Sequence, residues 1–256
     1  MTAQQPNEGI WNMIYCFGDS ITDGRPGITY IKYLAGKDRC VNCGVGGDTV
    51  LGVTKRLQQM LNHPLDKNDY IILGIGTNDI LLPYFFTCSA SWRRIAKMHI
   101  AGGSVPTKDM NTFKAKYREL LSYCRGITGN ILVFGLPLLE SPEDMLDDTC
   151  EKYNRVIESL CMDEKIRYID FRKWQVEQKK LLHNEGSFFM TANGRPHMAV
   201  RLDVILTTYL PFASKISKRR GLAMTVDGCH LNELSARGLA GLIDRNMEEV
   251  HAVYSP

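Results

Sequence analysis

Four short blocks of this chain hold residue types that can do chemistry together. The first is Gly18-Asp19-Ser20, a serine that follows a glycine and an aspartate at the end of an apolar run. Glycine permits a tight turn there, and a hydroxyl carried on such a turn stands clear of its neighbours. The second, Asn42-Cys43-Gly44-Val45-Gly46-Gly47-Asp48-Thr49, gathers three glycines just ahead of a helical pattern. Backbone N–H groups exposed in that way suit an anion, either a phosphate or an oxyanion. The third, Gly74-Ile75-Gly76-Thr77-Asn78-Asp79, supplies an amide whose N–H stays neutral at any working pH. Last comes Asp227-Gly228-Cys229-His230, with two residues between a carboxylate and an imidazole. That spacing lets the carboxylate reach back, fix the ring's tautomer and stabilise the imidazolium. Serine, imidazole, carboxylate and neutral N–H donors are together the parts of acyl transfer through a covalent serine intermediate.

Each block taken alone also has a structural reading. Asp and Ser satisfy backbone donors in strand-to-helix turns, Asn78-Asp79 can cap the segment that follows, and Asp227 and Asn232 can cap turns. The glycine loop lacks the G-x-G-x-x-G order and the Gly-Lys-Ser/Thr ending of nucleotide loops, which turns the balance toward an oxyanion. Cys229 is a rival nucleophile beside His230, although its position reads as an inward apolar contact. Cys40 and Cys43 form a C-x-x-C with no second pair to complete a zinc site.

These blocks need elements to position them. Short β-rich runs at 12–17, 40–43, 70–75, 130–135 and 167–170 read as buried strands. Helical spacing falls between and after them, at 29–35, 49–61, 110–124, 150–161 and 234–250. Such a βαβ rhythm predicts an α/β fold, an open parallel five-stranded sheet with helices on both faces, whose function sits at the carboxyl ends of the strands. Two stretches are longer than ordinary connections, 81–108 and 171–226, and the second contains an expected helix at about 198–218. Neither carries a low-complexity linker, so 1–256 reads as a single domain with two insertions.

Gly-Asp-Ser after the first strand, glycines after the second, Gly-x-Asn-Asp after the third and Asp-x-x-His before the last helix form an ordered set. In that order the chain resembles the GDSL/SGNH hydrolase family over nearly its whole length. The resemblance implies a flavodoxin-like three-layer α/β/α fold and ester hydrolysis through an acyl-enzyme. It makes Ser20 the nucleophile, His230 its general base and then acid, and Asp227 the residue that orients His230. An oxyanion hole would come from the backbone N–H groups of Ser20 and Gly47 and the side chain of Asn78. No metal or other cofactor is implied. Two departures are mild: Ile21-Thr22 replaces a Leu-Ser pair, and Leu231 stands where the family often has proline.

Substrate choice is less legible. The run Leu81 to Phe86 (LLPYFF) suits an acyl chain, whereas Trp92, Trp174 and Tyr84 suit a sugar ring, so acyl or acetyl esters of lipids, sugars or small molecules are all expected candidates. An acyltransferase sharing the acyl-enzyme and a non-catalytic binding module on the same fold are the alternatives. A net charge of +3 argues against nucleic acid as a partner, and the basic run at 215–220 reads as a solvated helix end. No apolar run is long enough for stable membrane insertion. The N-terminus lacks a basic segment followed by an apolar run, and the eight cysteines are scattered, which together lead us to expect a cytoplasmic protein. Oligomeric state is left open.

Overall fold

The computed structural model describes residues 13–142, 144–184, 186, 188–192 and 196–254. Five strands, β1 (Ile14–Gly18), β2 (Cys40–Gly44), β3 (Tyr70–Gly74), β4 (Ile131–Phe134) and β5 (Arg167–Ile169), make one parallel sheet in the order β2-β1-β3-β4-β5. Every residue of β3 and β4 is buried, which is why those segments read as unbroken apolar runs rather than alternating ones. The chain leaves β1 for β2 on one side and later returns to lay β3 on the other. The sheet therefore changes direction at β1, where α/β sheets open a crevice.

The helices are α1 (Ser20–Asp23), α2 (Val50–Met60), α3 (Thr77–Thr87), α4 (Ala90–Ala101), α5 (Met110–Ile127), α6 (Asp144–Asp163), α7 (Phe171–Leu181), α8 (Pro196–Asp203), α9 (Ala213–Arg219) and α10 (Glu233–Tyr254). Helices lie on both faces of the sheet: α2, α5 and α6 pack side by side, and α10 packs with α7 and with the turn at Tyr30–Tyr33. Thr49, Ser89 and Asp109 cap α2, α4 and α5 by accepting an N–H of the first turn, so these starts are written in the sequence. One apolar cluster runs from Ile14 in β1 to Met247 in α10.

Two expectations change. The segment at 29–35 is a single 3₁₀ turn, Tyr30–Tyr33, because Leu34 is already extended and ends it. The helix expected at 198–218 is broken into α8, a wider π-type turn at Val204–Tyr209, and α9. Pro211 is the cause: it drives Leu210 into extended backbone, with ψ at 150°. The stretch 81–108 is largely the helical pair α3 and α4. Residue 12, where the first strand was expected to begin, lies outside the described residues.

Candidate active site

Gly18, Gly44 and Gly74 stand abreast at the carboxyl edge of β1, β2 and β3. A Cβ on Gly18 would lie 2.6 Å from the Gly74 carbonyl oxygen, and one on Gly44 would lie 2.2 Å from the Asp23 nitrogen. Bare backbone at this row lets the turn after β1 sit down on the sheet edge. Ser20 opens α1 in that turn, and Asp19 caps it by accepting the Ile21 N–H at 2.9 Å. Burial pushes the Asp19 carboxyl up to about 7.

The structure brings the serine and the distant Asp-x-x-His block together. Ser20 Oγ lies 2.8 Å from His230 Nε2, and His230 Nδ1 lies 2.7 Å from Asp227 Oδ2. Oδ1 of the same carboxylate accepts the N–H groups of Cys229 (3.1 Å) and His230 (2.9 Å). All three side chains are buried. Burial works against an ionised Asp227, but His230 and the two backbone donors outweigh it and hold the carboxyl below its ordinary value. For His230, burial disfavours the imidazolium and Asp227 reverses the balance, so its pKa rises above 6.5. Cys229 is different: burial and the nearby Asp227 push its thiol far up, so it is held neutral beside the base.

Residues that sequence reasoning missed hold this block in place. Glu140, 1% exposed, follows β4 and accepts the backbone N–H groups of Ala223 (2.9 Å), Met224 (3.0 Å) and Thr225 (2.8 Å), together with the Thr225 hydroxyl (2.6 Å). Arg220 is held in a two-pronged pair with Asp203 and donates to the Val226 carbonyl at 2.6 Å. Asn232 donates to the Ala223 carbonyl at 2.7 Å. The one available signal for Glu140 is a lone charge closing the apolar run Phe134-Gly135-Leu136-Pro137-Leu138-Leu139.

On the other side of Ser20, Gly47 has to be glycine, as Gly44 does. The φ of Gly47 is +81°, and a Cβ there would stand 2.2 Å from His99 Nδ1, whereas Gly46 has open space around it. Asn78, in the first turn of α3, donates from Nδ2 to the Asp48 carbonyl at 3.0 Å and makes a long 3.4 Å contact with Asp19 Oδ2. Asp79 does not reach the serine. It fastens the glycine loop to α3 by accepting the Val50 N–H (3.0 Å) and the Thr107 N–H (2.7 Å), and burial raises its carboxyl to about 6. Arg56, also missed, ties Asp48 to the carbonyls of Cys43 and Gly18.

A cavity of about 540 Å³ opens over Ser20 and His230, with Gly47 and Asn78 on its wall. Leu81, Leu82, Phe85, Trp92, Met190 and Val200 make much of its lining apolar. Trp92 packs on Phe85 at 4.6 Å, while Trp174 lies away from the cavity against Phe171 and Gly238. A larger, shallower groove of about 850 Å³, edged by Gln58, Asn62, Arg118 and Glu119, holds none of the four blocks. Among the described residues, no group of His, Cys, Asp and Glu could hold a metal ion, and no helix is long and apolar enough to cross a membrane.

A hydroxyl, an imidazole and a carboxylate in hydrogen-bonded series at the switch point of a parallel sheet define the hydrolase class of α/β protein. The chain belongs to the GDSL-like lipase/acylhydrolase family, whose model matches residues 16–194. The Asp227–His230 block lies beyond that match. Among solved structures, the fold is shared with a lipolytic protein of the G-D-S-L family from Veillonella parvula, at 18% identity, a TM-score of 0.56, and coverage of 93% of this chain and 97% of that one. It is shared too with a catalytic mutant of an acetylxylan esterase from Geobacillus stearothermophilus, at 17% identity, TM-score 0.57 and coverage of 92% and 94%. An α/β hydrolase enzyme from the metagenome of Lake Arreo, Spain, aligns at 17% identity, TM-score 0.55 and coverage of 93% and 95%. No curated protein matches the chain.

Proposed function

We propose that this chain hydrolyses carboxylic esters through an acyl-enzyme on Ser20. The observation that carries the reading is the unbroken series Ser20 Oγ, His230, Asp227 at the floor of an apolar cavity. His230 Nε2 takes the hydroxyl proton as Oγ bonds to the ester carbonyl carbon, and the carbonyl electron pair moves onto oxygen. The N–H groups of Ser20 and Gly47 and the loosely engaged second N–H of Asn78 receive that oxyanion. Collapse expels the alcohol, which leaves with the proton from His230. Water then repeats the sequence and frees the acid. Asp227 keeps the ring in its productive tautomer throughout.

Two things support these assignments. Neither backbone N–H, of Ser20 or of Gly47, has a hydrogen-bond partner among the described residues. The acetylxylan esterase structures include catalytic mutants of a serine, of an aspartate and, three positions after that aspartate, of a histidine. The largely apolar surface of the lining favours an apolar acyl group over a sugar ring at the acyl side of the ester. The continuous core supports one domain, with 81–108 and 171–226 as insertions that wall the cavity.

Hydrolysis of p-nitrophenyl esters from acetate to palmitate, wild type against Ser20→Ala, tests the reading. Activity with an initial burst in the wild type and none in the variant is expected. Activity that persists in Ser20→Ala overturns the assignment. Ester product formed preferentially on an added alcohol identifies an acyltransferase, and inertness toward every ester returns the fold to a binding role.

A further inference from the structure

The segment from α8 to α9 is amphipathic in the wrong sense for a soluble surface. Besides Pro196 and Ala213, its buried positions are polar: Asp203, Thr207 and Ser217. Each is used to fasten the segment to loops around the cavity. Thr207 Oγ1 accepts the Gly27 N–H at 2.8 Å, Asp203 holds Arg220 against the Val226 carbonyl, and Ser217 donates to the Thr225 carbonyl at 2.7 Å. Alongside its exposed polar residues, it turns outward a run of apolar side chains: Met198 (65% exposed), Leu202 (53%), Ile205 (50%) and Tyr209 (66%), continued by Leu210 and Phe212. Lone exposed apolar residues are ordinary, but a contiguous run of them beside a cavity mouth marks a contact surface.

The charges around this run are of one sign. Arg201, Lys215, Lys218 and Arg219 are exposed, and Asp203, the only acidic residue from 196 to 219, is buried in its pair with Arg220. The two kinds of side chain adjoin, since Lys215 Nζ sits 5.4 Å above the Phe212 ring. His197, Val200 and Arg201 of the same α8 line the cavity over Ser20. A second copy of the chain is a poor occupant, because a two-fold contact would set these cations against themselves. We propose that the 196–219 segment docks onto anionic lipid assemblies, its apolar side chains entering the acyl layer and its cations meeting the headgroups. Docking there would hold the cavity mouth at the lipid surface. This surface stands apart from the ester-hydrolase reading, and its test reads binding alone.

Co-sedimentation with phosphatidylcholine vesicles, with and without phosphatidylglycerol, is the experiment. The full chain is expected to sediment with the anionic vesicles, far less with the neutral ones, and to be released by salt. The variant carrying Lys215→Gln, Lys218→Gln and Arg219→Gln should bind the anionic vesicles roughly 100-fold more weakly. Leu202→Ser with Ile205→Ser and Phe212→Ser should lose binding at every salt concentration, with circular dichroism unchanged from the wild type. A wild type that stays in the supernatant, or a glutamine variant that binds as the wild type does, overturns the proposal. So does a solution dimer that the serine variant dissolves, since that outcome gives the patch to a second copy.

Discussion

In the proposed mechanism, Asp227 and His230 set the working pH of the site between them. Asp227→Asn keeps the size of the side chain but removes the charge that lifts the imidazole against its burial. Turnover should fall by about 10⁴, because the ring then loses both its tautomer and its counter-ion. The pH profile sharpens this. A general base works only when neutral, so wild-type kcat/KM should be lost as pH falls through a value above 6.5. In the asparagine variant burial is opposed only by the more distant Asp19 and Asp203, so the residual activity should persist to a lower pH than in the wild type. A pH–rate profile of both proteins reads the displacement directly. Ser20, Asp227 and His230 were singled out in the sequence because four short blocks stand in the order of the GDSL/SGNH family, whereas each block alone left a structural reading open. Glu140 was not, because its partners lie 83 to 85 positions away and no local pattern joins them.

Among the elements, the loop from Ala223 to Asn232 depends on groups outside itself. Four donors converge on the Glu140 carboxylate, and a glutamine has one acceptor oxygen and turns an NH₂ toward those donors. Glu140→Gln is therefore expected to destabilise the protein by about 3 kcal/mol, measured by urea unfolding. At temperatures where the variant is still folded, kcat should fall with KM nearly unchanged, because Asp227 and His230 move while the cavity wall does not. The same contrast explains which elements sequence reasoning found. The five strands were legible because buried parallel strands are unbroken apolar runs between glycines. The helix expected at 198–218 was found in part, as α8 and α9, and its continuity was misjudged because Pro211 forces Leu210 out of the helical region.

For the molecule as a whole, buried acids make stability depend on pH in an unusual direction. Burial raises Asp19 to about 7 and Asp79 to about 6, and His230 is raised as well. All three hold protons more tightly folded than unfolded: the contribution of Asp19 and Asp79 is full only below the ordinary carboxylate value of 3.8 and is lost progressively as pH rises to about 7 and about 6, while that of His230 is full below 6.5 and is lost as pH rises through its folded value. Asp227, held low, acts oppositely and only at stronger acidity. The urea midpoint should therefore be higher at about pH 5 than at about pH 8, and Asp19→Asn should narrow that gap. A variant with an unchanged gap would remove Asp19 as its source. The Ser20–His230 contact spans 210 positions, from the turn after the first strand to the loop before the last helix. A chain emerging from the ribosome thus carries its hydroxyl long before its base arrives. However early the sheet begins to form, the nascent polypeptide cannot make the Ser20–His230 pair until residue 230 has cleared the exit tunnel.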